Sequence, residues 1–456
     1  MFHKILIANR GEIAVRIIRT CKYMGIETVA VYSEVDKTSL HVQLADESVS
    51  IGGPKSSDSY LNMENIISAA ISKGAEAIHP GFGFLSENAE FAQLCTDCGI
   101  NFIGPSSEAI TKMGNKSKAR EIMTKASVPV VPGSEGSVKN LDEAIKIANE
   151  IGFPILIKAS SGGGGRGMRI AFNVDEFIST FETAKTEALN AFGDDTMYLE
   201  KYIINPKHIE FQMLCDKYGN IVHLGERDCS IQRRNQKVIE EAPSSINNDL
   251  REEMAKAAIK ACESVNYINA GTVEFLVSGN DFYFIEMNTR IQVEHPITEM
   301  ISGIDIVKEQ IKIASGEKLS FNQEDVKLKG HSIECRLNAE NPKQKFRPSP
   351  GKIKLIHIPA GNGIRFDSFI YTDYEIQPYY DSMIGKVIVH GENRTEAIKK
   401  MRATLEELVV EGVDTNQTFL YMIMNNTDYT KGIFDTSFVD KKIDSLLEYE
   451  DYEWYI

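Results

Sequence analysis

The chain has 456 residues, which is long enough for two or three domains that each bury a core. Its 42% hydrophobic and 25% charged residues are typical of a globular protein, and its formal net charge of −15 argues against a general nucleic-acid or anionic-membrane binder. No apolar run approaches the ~18 residues of a membrane span, and the N-terminus enters a strand without a secretory signal. Seven cysteines, an odd number, indicate reduced thiols. We therefore expect a cytoplasmic protein.

Residues 1–103 alternate short apolar strands with amphipathic helices. Strands are predicted at 4–8, 28–32 and 76–79. One helical face between the first two strands consists of Ile13, Ile17, Ile18, Cys21 and Met24. This alternation is typical of a doubly wound parallel sheet. The Gly81-Phe-Gly83 segment lacks the third glycine of a dinucleotide fingerprint and lies away from the first strand–helix junction, which argues against NAD.

The remainder divides into a mixed region and a β-rich region. Residues 104–330 contain a glycine-rich loop, a hairpin and several helices, and prolines near 130 suggest a hinge to a sub-domain over 130–203. From 331 to 447 the pattern becomes β-rich, with strands predicted at 331–336, 352–357 and 386–390 and a helix after them. The last residues, 448–456, are acidic and are expected to form a surface tail.

A strand, a lysine and four consecutive glycines follow one another at 155–168. Lys158 ends the strand, and Gly162–Gly165 follow it. Backbone N–H groups without side chains can wrap a polyphosphate, whereas the alternative is a flexible linker. A second apolar arm at 168–170 favours a hairpin over a linker. There is no G-x-x-x-x-G-K-[ST] motif, so the chain is not a P-loop enzyme, and Lys116 is a further candidate phosphate lysine.

Polar residues occupy every second position of residues 286–294. They are Glu286, Asn288, Arg290, Gln292 and Glu294. In an extended chain these side chains share one face, which would present oxygen ligands for a hard cation, then a guanidinium for an anion, then a carboxylate that could accept a proton. The alternative is a half-buried strand with its polar side in water.

A hairpin is predicted to bring a second carboxylate to this face. Residues 278–281 form a turn signal between two β-rich runs, and a turn centred on Asn280 would place Glu274 opposite Glu286. Like charges at opposite positions destabilise a hairpin unless a divalent cation lies between them. With Asn288 as a neutral oxygen ligand, this arrangement suits Mg²⁺, which shares its ligand shell with phosphates.

Residues 226–243 form a cluster rich in charge. Most charge runs are solvated surfaces, but this one contains Gln232, Arg233, Arg234 and Lys237 close in sequence to the acidic residues. Such cations would stabilise the charge of a transferred phosphoryl group. We therefore predict a nucleotide–metal site.

Together these motifs resemble one family, the biotin carboxylases of the ATP-grasp superfamily. The resemblance extends over nearly the whole chain, from residues 9–14 and 79–88 through the four-glycine loop, the cluster around Gln232 and residues 286–296 to 379–386. It implies an α/β (α+β) architecture. The N-terminal Rossmann-like domain would span 1–103, the ATP-grasp domain 104–330 with a mobile lid at about 130–203, and the mixed, β-rich C-terminal domain 331–447.

The resemblance implies ATP-dependent carboxylation of biotin held on a carrier protein. Bicarbonate would attack the γ-phosphate of ATP to give carboxyphosphate and ADP; carboxyphosphate would release CO₂, which the deprotonated biotin nitrogen would attack. Arg290, Gln292 and Val293 would hold bicarbonate together with Lys237, with Glu294 as general base and Arg336 stabilising the biotin enolate. The magnesium (or manganese) ligands would be Glu274, Glu286 and Asn288. ATP contacts would come from Lys116, Lys158, Gly164, Gly165, Glu200, Lys201, Tyr202, Ile203, His208, Gln232, Asn235, Glu274, Leu276 and Glu286.

The sequence departs from the family in two places. Family members commonly have His where Asn235 stands, which would change nucleotide affinity. The familiar bacterial homodimer uses a Phe near Asn362, so the dimer is in doubt although Arg19 and Arg365 remain. No Met-Lys-Met acceptor for biotin occurs, so the partners implied are a separate biotin carboxyl carrier protein and carboxyltransferase subunits.

Several functions remain open from the sequence. The leading hypothesis is the biotin carboxylase subunit of acetyl-CoA carboxylase in fatty acid synthesis, and the alternative is the same subunit serving pyruvate, propionyl-CoA or urea. Another ATP-grasp ligase is disfavoured by Arg336 and residues 379–383, and a non-catalytic paralogue by the intact lysines, carboxylates and Arg290.

Overall fold

The computed structural model describes residues 1–134, 136–138, 140–159, 168–192 and 195–448. They form two compact units. The first comprises Met1–Val128, Lys207–Phe275 and the chain from Glu286 onward, and the second comprises Pro129–Pro206 and Leu276–Ile285. The second unit contains the sub-domain predicted over 130–203 together with the tip of the predicted hairpin.

The N-terminal region is a five-stranded parallel sheet with helices on both faces, so the predicted doubly wound sheet is confirmed. Its strands are β1 Lys4–Ile7, β2 Glu27–Ser33, β3 Glu47–Gly52, β4 Ala77–His79 and β5 Asn101–Phe102, in the order β3-β2-β1-β4-β5. The helices are α1 Gly11–Tyr23, α2 Leu40–Leu44, α3 Met63–Lys73, α4 Ala89–Asp97, α5 Ser107–Gly114 and α6 Lys116–Lys125. Ile5 and Ile7 face one core and Leu6 the other, because both sides of a parallel sheet are covered.

The second unit is a three-stranded antiparallel sheet with two helices. Its elements are α7 Leu141–Ile151, β6 Ile155–Ala159, β7 Met168–Ala171, α8 Val174–Phe192 and β8 Met197–Lys201, with the strand order β7-β6-β8. The pairing of β6 with β7 confirms the hairpin predicted around the glycine-rich loop. The loop itself, residues 160–167, lies outside the described residues.

The strands and helices from Lys207 onward build the rest of the first unit and the end of the hairpin. The strands are β9 Lys207–Cys215, β10 Ile221–Arg233, β11 Gln236–Ala242, β12 Asn269–Ser278, β13 Asp281–Asn288, β14 His331–Asn338, β15 Glu340–Asn341, β16 Arg347–Pro348, β17 Gly351–Lys352, β18 Leu355–His357, β19 Ile364–Ser368, β20 Glu375–Ile376, β21 Met383–Gly391 and β22 Val409–Glu411. The helices are α9 Asn248–Ser264, α10 His295–Ser302, α11 Ile306–Ala314, α12 Arg394–Glu407, α13 Gln417–Asn425, α14 Thr427–Thr430 and α15 Phe438–Leu447. Among the described residues, no helix combines the length and apolarity needed to cross a membrane.

Eight of these strands form one sheet in the order β13-β12-β9-β10-β11-β14-β21-β19. The antiparallel pairing of β11 with β14 joins residues on both sides of the predicted boundary at 330/331. The central and C-terminal regions therefore share a continuous sheet, and residues from both regions meet on its faces.

One predicted strand is wrong. Residues 352–357 do not form a single strand, because the backbone changes partner within it: the N–H of Ile353 donates to Tyr374 and that of Lys354 to Glu411. As a result β17 pairs with β20 and β18 pairs with β22, in two separate small sheets.

A buried ion-pair cluster joins β11 to β14 and α12, and it yields a stability prediction. The carboxylate of Glu241, 4% exposed, lies 2.8 Å from Nε2 of His331 and 2.7 Å from Nε of Arg394. Burial alone would raise the pKa of Glu241, but these partners outweigh it and lower the pKa to about 2.

We expect Glu241→Gln to lower the free energy of unfolding by about 3 kcal/mol at neutral pH. A depressed carboxyl pKa stabilises the fold above the unfolded-state value, and that contribution is lost as pH falls from about 4.5 to about 2. Urea titrations of both proteins across this range measure the difference. An equal stability of the two proteins at pH 7 would contradict the prediction.

Candidate active site

Four polar residues of β9 and β12 begin the site. His208, Glu210 and Gln212 alternate along β9, so they share one face of the sheet, and Glu274 lies on β12. Nε2 of His208 lies 2.9 Å from Oε2 of Glu274, and all four residues are at least nine-tenths buried. Burial disfavours ionised Glu274, but Lys237 and His208 outweigh it and lower its pKa well below the ordinary value.

Lys237, on β11, is the central cation of this site. Its Nζ lies 2.6 Å from Oε2 of Glu210, 2.8 Å from Oε1 of Glu274 and 2.7 Å from Oε1 of Glu294. Burial opposes a charged lysine, yet the three carboxylates raise its pKa well above the ordinary value. The ammonium group is therefore charged at neutral pH and holds three carboxylates together.

The predicted metal ligands are only partly grouped. Asn288 donates through Nδ2 to Oε1 of Glu274 at 2.8 Å, so these two side chains meet. Glu286 is 38% exposed, and its carboxylate lies 3.5 Å from Nζ of Lys116. Two carboxylates and an amide oxygen are the donor set that Mg²⁺ prefers, so these residues fit that ion. Within the described part of the chain, the two acidic triads with ligand atoms within 4.8 Å both contain Glu210, which was not predicted.

The predicted extended segment ends early. β13 stops at Asn288, and α10 starts at His295 with Glu294 as its N-cap residue, so residues 289–294 are a loop. The predicted convergence nevertheless occurs along part of this loop: Arg290 donates to Oδ1 of Asn288 at 3.0 Å and to Oε1 of Gln292 at 2.8 Å. Nε of Arg290 also donates to Glu87 at 2.9 Å.

Glu294 and Arg336 form an ion pair in the first unit. Oε2 of Glu294 accepts from Nη2 of Arg336 at 3.0 Å, while Nε of Arg336 donates to Oε1 of Glu240 at 2.6 Å. Burial raises the pKa of Glu294, but Lys237 and Arg336 together lower it below the ordinary value despite repulsion from Glu210. Glu294 is thus a fully buried carboxylate, ionised and able to accept a proton.

The remaining predicted contacts of the first unit lie on several elements. Gln232 shares a 2.8 Å hydrogen bond with Nδ1 of His208. Asn235 is exposed and has a positive φ of 62° in the turn between β10 and β11. The carbonyl of Val293 accepts from Nζ of the buried Lys386 at 2.7 Å.

The predicted contacts of the second unit cluster on β6 and β8. Lys158 and Glu200 form an ion pair, and Lys201 donates to the carbonyls of Gly152 and Phe153 at 2.9 and 2.6 Å. The N–H of Tyr202 donates to the carbonyl of Pro154 at 2.9 Å. Ile203 and Leu276 are half-buried, and Gly164 and Gly165 lie outside the described residues.

Sequence reasoning missed several charged residues of this site. Glu210 and Arg227 are fully buried and paired at 2.5 Å, and Glu87 and Glu240 hold the two arginines. The signal for Glu210 was available, because His208, Glu210 and Gln212 alternate in an otherwise apolar strand. Glu240 carries no comparable local signal, since its role depends on pairing with β14.

Comparison with known proteins gives a consistent result. Family models match at residues 1–110 (biotin carboxylase, N-terminal domain), 115–322 (carbamoyl-phosphate synthase L chain, ATP binding domain) and 334–441 (biotin carboxylase C-terminal domain). The chain is 57% identical to a biotin carboxylase of Nostoc sp. over 96% of this chain and 99% of the relative. It is 54% identical to a pyruvate carboxylase subunit of Methanothermobacter thermautotrophicus, covering 97% and 90%.

Solved structures agree with the sequence relatives. The biotin carboxylase domain dimer of 2-oxoglutarate carboxylase from Hydrogenobacter thermophilus, in complex with MgADP, ADP and bicarbonate, superposes with a TM-score of 0.91 at 52% identity. The match covers 99% of this chain and 100% of that one.

Proposed function

The chain belongs to the biotin carboxylase family of ATP-dependent ligases, and we propose that it carboxylates biotin on a separate carrier protein as the first half-reaction of acetyl-CoA carboxylase. The observation that carries this proposal is the position of Glu294. One carboxylate oxygen of Glu294 meets Lys237 and the other meets Arg336. A single buried carboxylate thus connects the group proposed to act on bicarbonate with the group proposed to act on biotin.

The cofactors follow from the family: ATP with Mg²⁺ (or Mn²⁺), and bicarbonate as a substrate. We assign the magnesium ion to Glu274, Glu286 and Asn288, where it would neutralise charge on the phosphates of ATP. Lys116 and Lys237 are proposed to contact the nucleotide phosphates or bicarbonate, and His208, Gln232 and Asn235 to line the adenosine pocket.

Bicarbonate is proposed to bind beside Arg290. A guanidinium matches a planar trigonal anion with two parallel donors, and Gln292 and Val293 complete the site. Glu87 and Asn288 hold the guanidinium of Arg290 by hydrogen bonds, so little side-chain freedom is lost when bicarbonate binds. Glu294 then takes the proton of bicarbonate while a bicarbonate oxygen attacks the γ-phosphate.

Biotin carboxylation is proposed to use Arg336. Carboxyphosphate releases CO₂, and the deprotonated biotin nitrogen attacks it, with Arg336 stabilising the enolate. When Glu294 accepts a proton it loses its charge, so its ion pair with Nη2 of Arg336 weakens. The guanidinium is then free to bind the enolate while Glu240 still holds Nε.

We propose that the second unit acts as the lid and that Lys158, with residues 200–203 and Leu276, contacts ATP from it. Glycines at 162–165, between strands β6 and β7, would let backbone N–H groups approach the phosphates. A closed lid would keep water from carboxyphosphate, which is otherwise hydrolysed.

The acyl acceptor is a proposal beyond the family. Relatives include a biotin carboxylase, one subunit of a pyruvate carboxylase and a 2-oxoglutarate carboxylase domain, so acetyl-CoA, pyruvate and 2-oxoglutarate are the acceptors to compare. Purified carboxyltransferase subunits from the same source, combined with this chain and the carrier, would identify the acceptor by the labelled product formed from ¹⁴C-bicarbonate.

We also propose a homodimer and a cytoplasmic location. Arg19 and Arg365, which the resemblance implicates in the dimer, line one surface groove with Asp305 and Phe366. Asn362 is exposed and supplies less apolar area than the Phe of the familiar dimer. The mass measured by sedimentation over a range of concentrations tests whether the dimer is weak.

The function is tested by ATP hydrolysis with bicarbonate, with and without free biotin. Stimulation that requires both substrates supports the proposal. Activity on an amine without any effect of biotin would contradict it and favour another ATP-grasp ligase.

Glu286→Gln is expected to raise the Mg²⁺ concentration for half-maximal activity on the order of tenfold, because it removes one anionic ligand. The measurement is a magnesium titration at fixed ATP. Glu121→Gln is the control, since Glu121 is an exposed glutamate paired with Lys125 on α6. An unchanged titration for Glu286→Gln would contradict its role as a ligand.

A further inference from the structure

Four charged residues share one face of the eight-stranded sheet. In the β11–β14 pairing Glu240 lies opposite Glu334, and in the β14–β21 pairing Arg336 lies opposite Lys386. Opposite residues of an antiparallel pair project to the same side, and so do residues two apart on one strand. The two glutamates, the arginine and the lysine therefore form one group, which we call the β14 charge group.

Helix α10 covers this face. Ala242 and Ile388 share the face with the β14 charge group and pack against Ile297 and Ile301 of α10. Glu240, Glu334 and Lys386 are fully buried. The charges therefore lie in a setting from which bulk water is excluded, and each needs a protein partner or a change of protonation.

Three of the four residues have partners. Lys386 lies 3.0 Å from Oε1 of Glu12 and donates to the carbonyl of Val293. Arg336 is held by Glu240 and by Glu294. Among the described residues, neither carboxyl oxygen of Glu334 has a hydrogen-bond partner, and the same is true of Oε2 of Glu240.

A buried carboxylate without a hydrogen bond is far too costly to remain ionised, so it takes up a proton. Burial raises the pKa of Glu334 well above its ordinary value, because the attraction of Lys386 and Arg336 does not offset it and Glu240 adds repulsion. Burial also raises the pKa of Glu240 to about 7, although Arg336 acts in the opposite direction. The two groups thus differ in protonation near neutral pH.

We propose that Glu240 and Glu334 form a carboxyl pair that holds one proton, with Glu334 as the neutral acid and Glu240 as the carboxylate that positions Arg336 for biotin. Opposite residues of an antiparallel pair have Cβ atoms about 4.5 to 5.5 Å apart, which lets two glutamates share one proton. The inference rests on the proposed biotin carboxylation, because it assigns a positioning residue to the biotin-dependent step.

The pair explains how Arg336 can serve two steps. Before proton transfer, Glu294 and Glu240 both hold its guanidinium. Once Glu294 is protonated, only Glu240 holds the side chain, through Nε, and the Nη groups are free. A second ionised acid at Glu334 would compete for the same guanidinium and draw it away from biotin, so the neutral form of Glu334 preserves the position of Arg336.

The kinetic test compares two ATP hydrolysis rates, one with bicarbonate alone and one with bicarbonate and biotin. We expect Glu240→Gln to lower the ratio of biotin-stimulated to unstimulated rate about 10- to 100-fold, since a misplaced group acts mainly on the step it serves. Glu241→Gln is the matched control, because Glu241 is the adjacent buried glutamate on the opposite face, and it keeps the wild-type ratio. An unchanged ratio in Glu240→Gln overturns the proposal, whereas wild type without any biotin stimulation would instead overturn the proposed function.

The protonation test is spectroscopic. The infrared difference spectrum of wild type minus Glu334→Gln at pH 7 is expected to show the carbonyl band of a protonated carboxylic acid. Circular dichroism establishes that both proteins are folded. A difference spectrum with only carboxylate bands would show Glu334 to be ionised and would overturn the assignment.

Discussion

Glu294→Gln is expected to abolish bicarbonate-dependent ATP hydrolysis while leaving ATP binding intact. Removing a general base typically costs about 10²- to 10⁴-fold in rate. Glu294 is fully buried and ionised, and its carboxylate contacts both Lys237 and Arg336. Glutamine keeps the size of the side chain but cannot accept a proton at neutral pH. The rate is measured by phosphate release, and binding by calorimetry with a non-hydrolysable ATP analogue.

The control separates loss of a base from loss of a buried charge. Glu226 is also fully buried and accepts from Arg251 at 2.9 Å, but it was not assigned to the site. Glu226→Gln is expected to lower stability and to keep most of the activity. Loss of ATP binding in Glu294→Gln would contradict the base assignment, because the residue would then hold the nucleotide site together.

The segment around Arg290 shows what sequence periodicity can and cannot predict. The alternation of polar residues correctly predicted that Asn288, Arg290 and Gln292 come together, and their hydrogen bonds join them in the structure. The predicted strand was wrong after Asn288, because Glu294 caps α10 and the chain must turn before a helix begins. Buried positions of β13 also change phase, from Phe282 and Phe284 to Met287, so strict alternation fails within the strand itself.

Partners across strands were beyond the sequence. The doubly wound sheet follows from local alternation of strands and helices, and the β6–β7 hairpin follows from its turn. In contrast, the contact of Glu240 with Arg336 depends on the register of β11 against β14, whose residues are about a hundred positions apart. Local composition does not encode that register. The resemblance supplied Arg336 as a functional residue but not the glutamate that holds it.

Lys237→Met is expected to be the most damaging single substitution for stability in the site. The Nζ of Lys237 neutralises Glu210, Glu274 and Glu294, and its removal leaves three buried carboxylates with fewer cations. Removing one partner of a buried ion pair costs about 3 to 5 kcal/mol, because the other charge remains desolvated. Methionine matches the aliphatic stem, so the loss reports the charge and not a cavity. Guanidinium unfolding at pH 7 measures it.

Lys207→Met separates this effect from the general loss of a lysine. Lys207 lies on β9 and pairs with one carboxylate, that of Asp228, at 2.9 Å. Asp228 also accepts from the hydroxyl and the N–H of Ser230, so it keeps partners when the lysine is removed. We expect the loss for Lys207→Met to be less than half of that for Lys237→Met, and only Lys237→Met to lose ATP hydrolysis. Equal losses would show that the three carboxylates around Lys237 protonate or rearrange in its absence, and that the lysine does not set their charge.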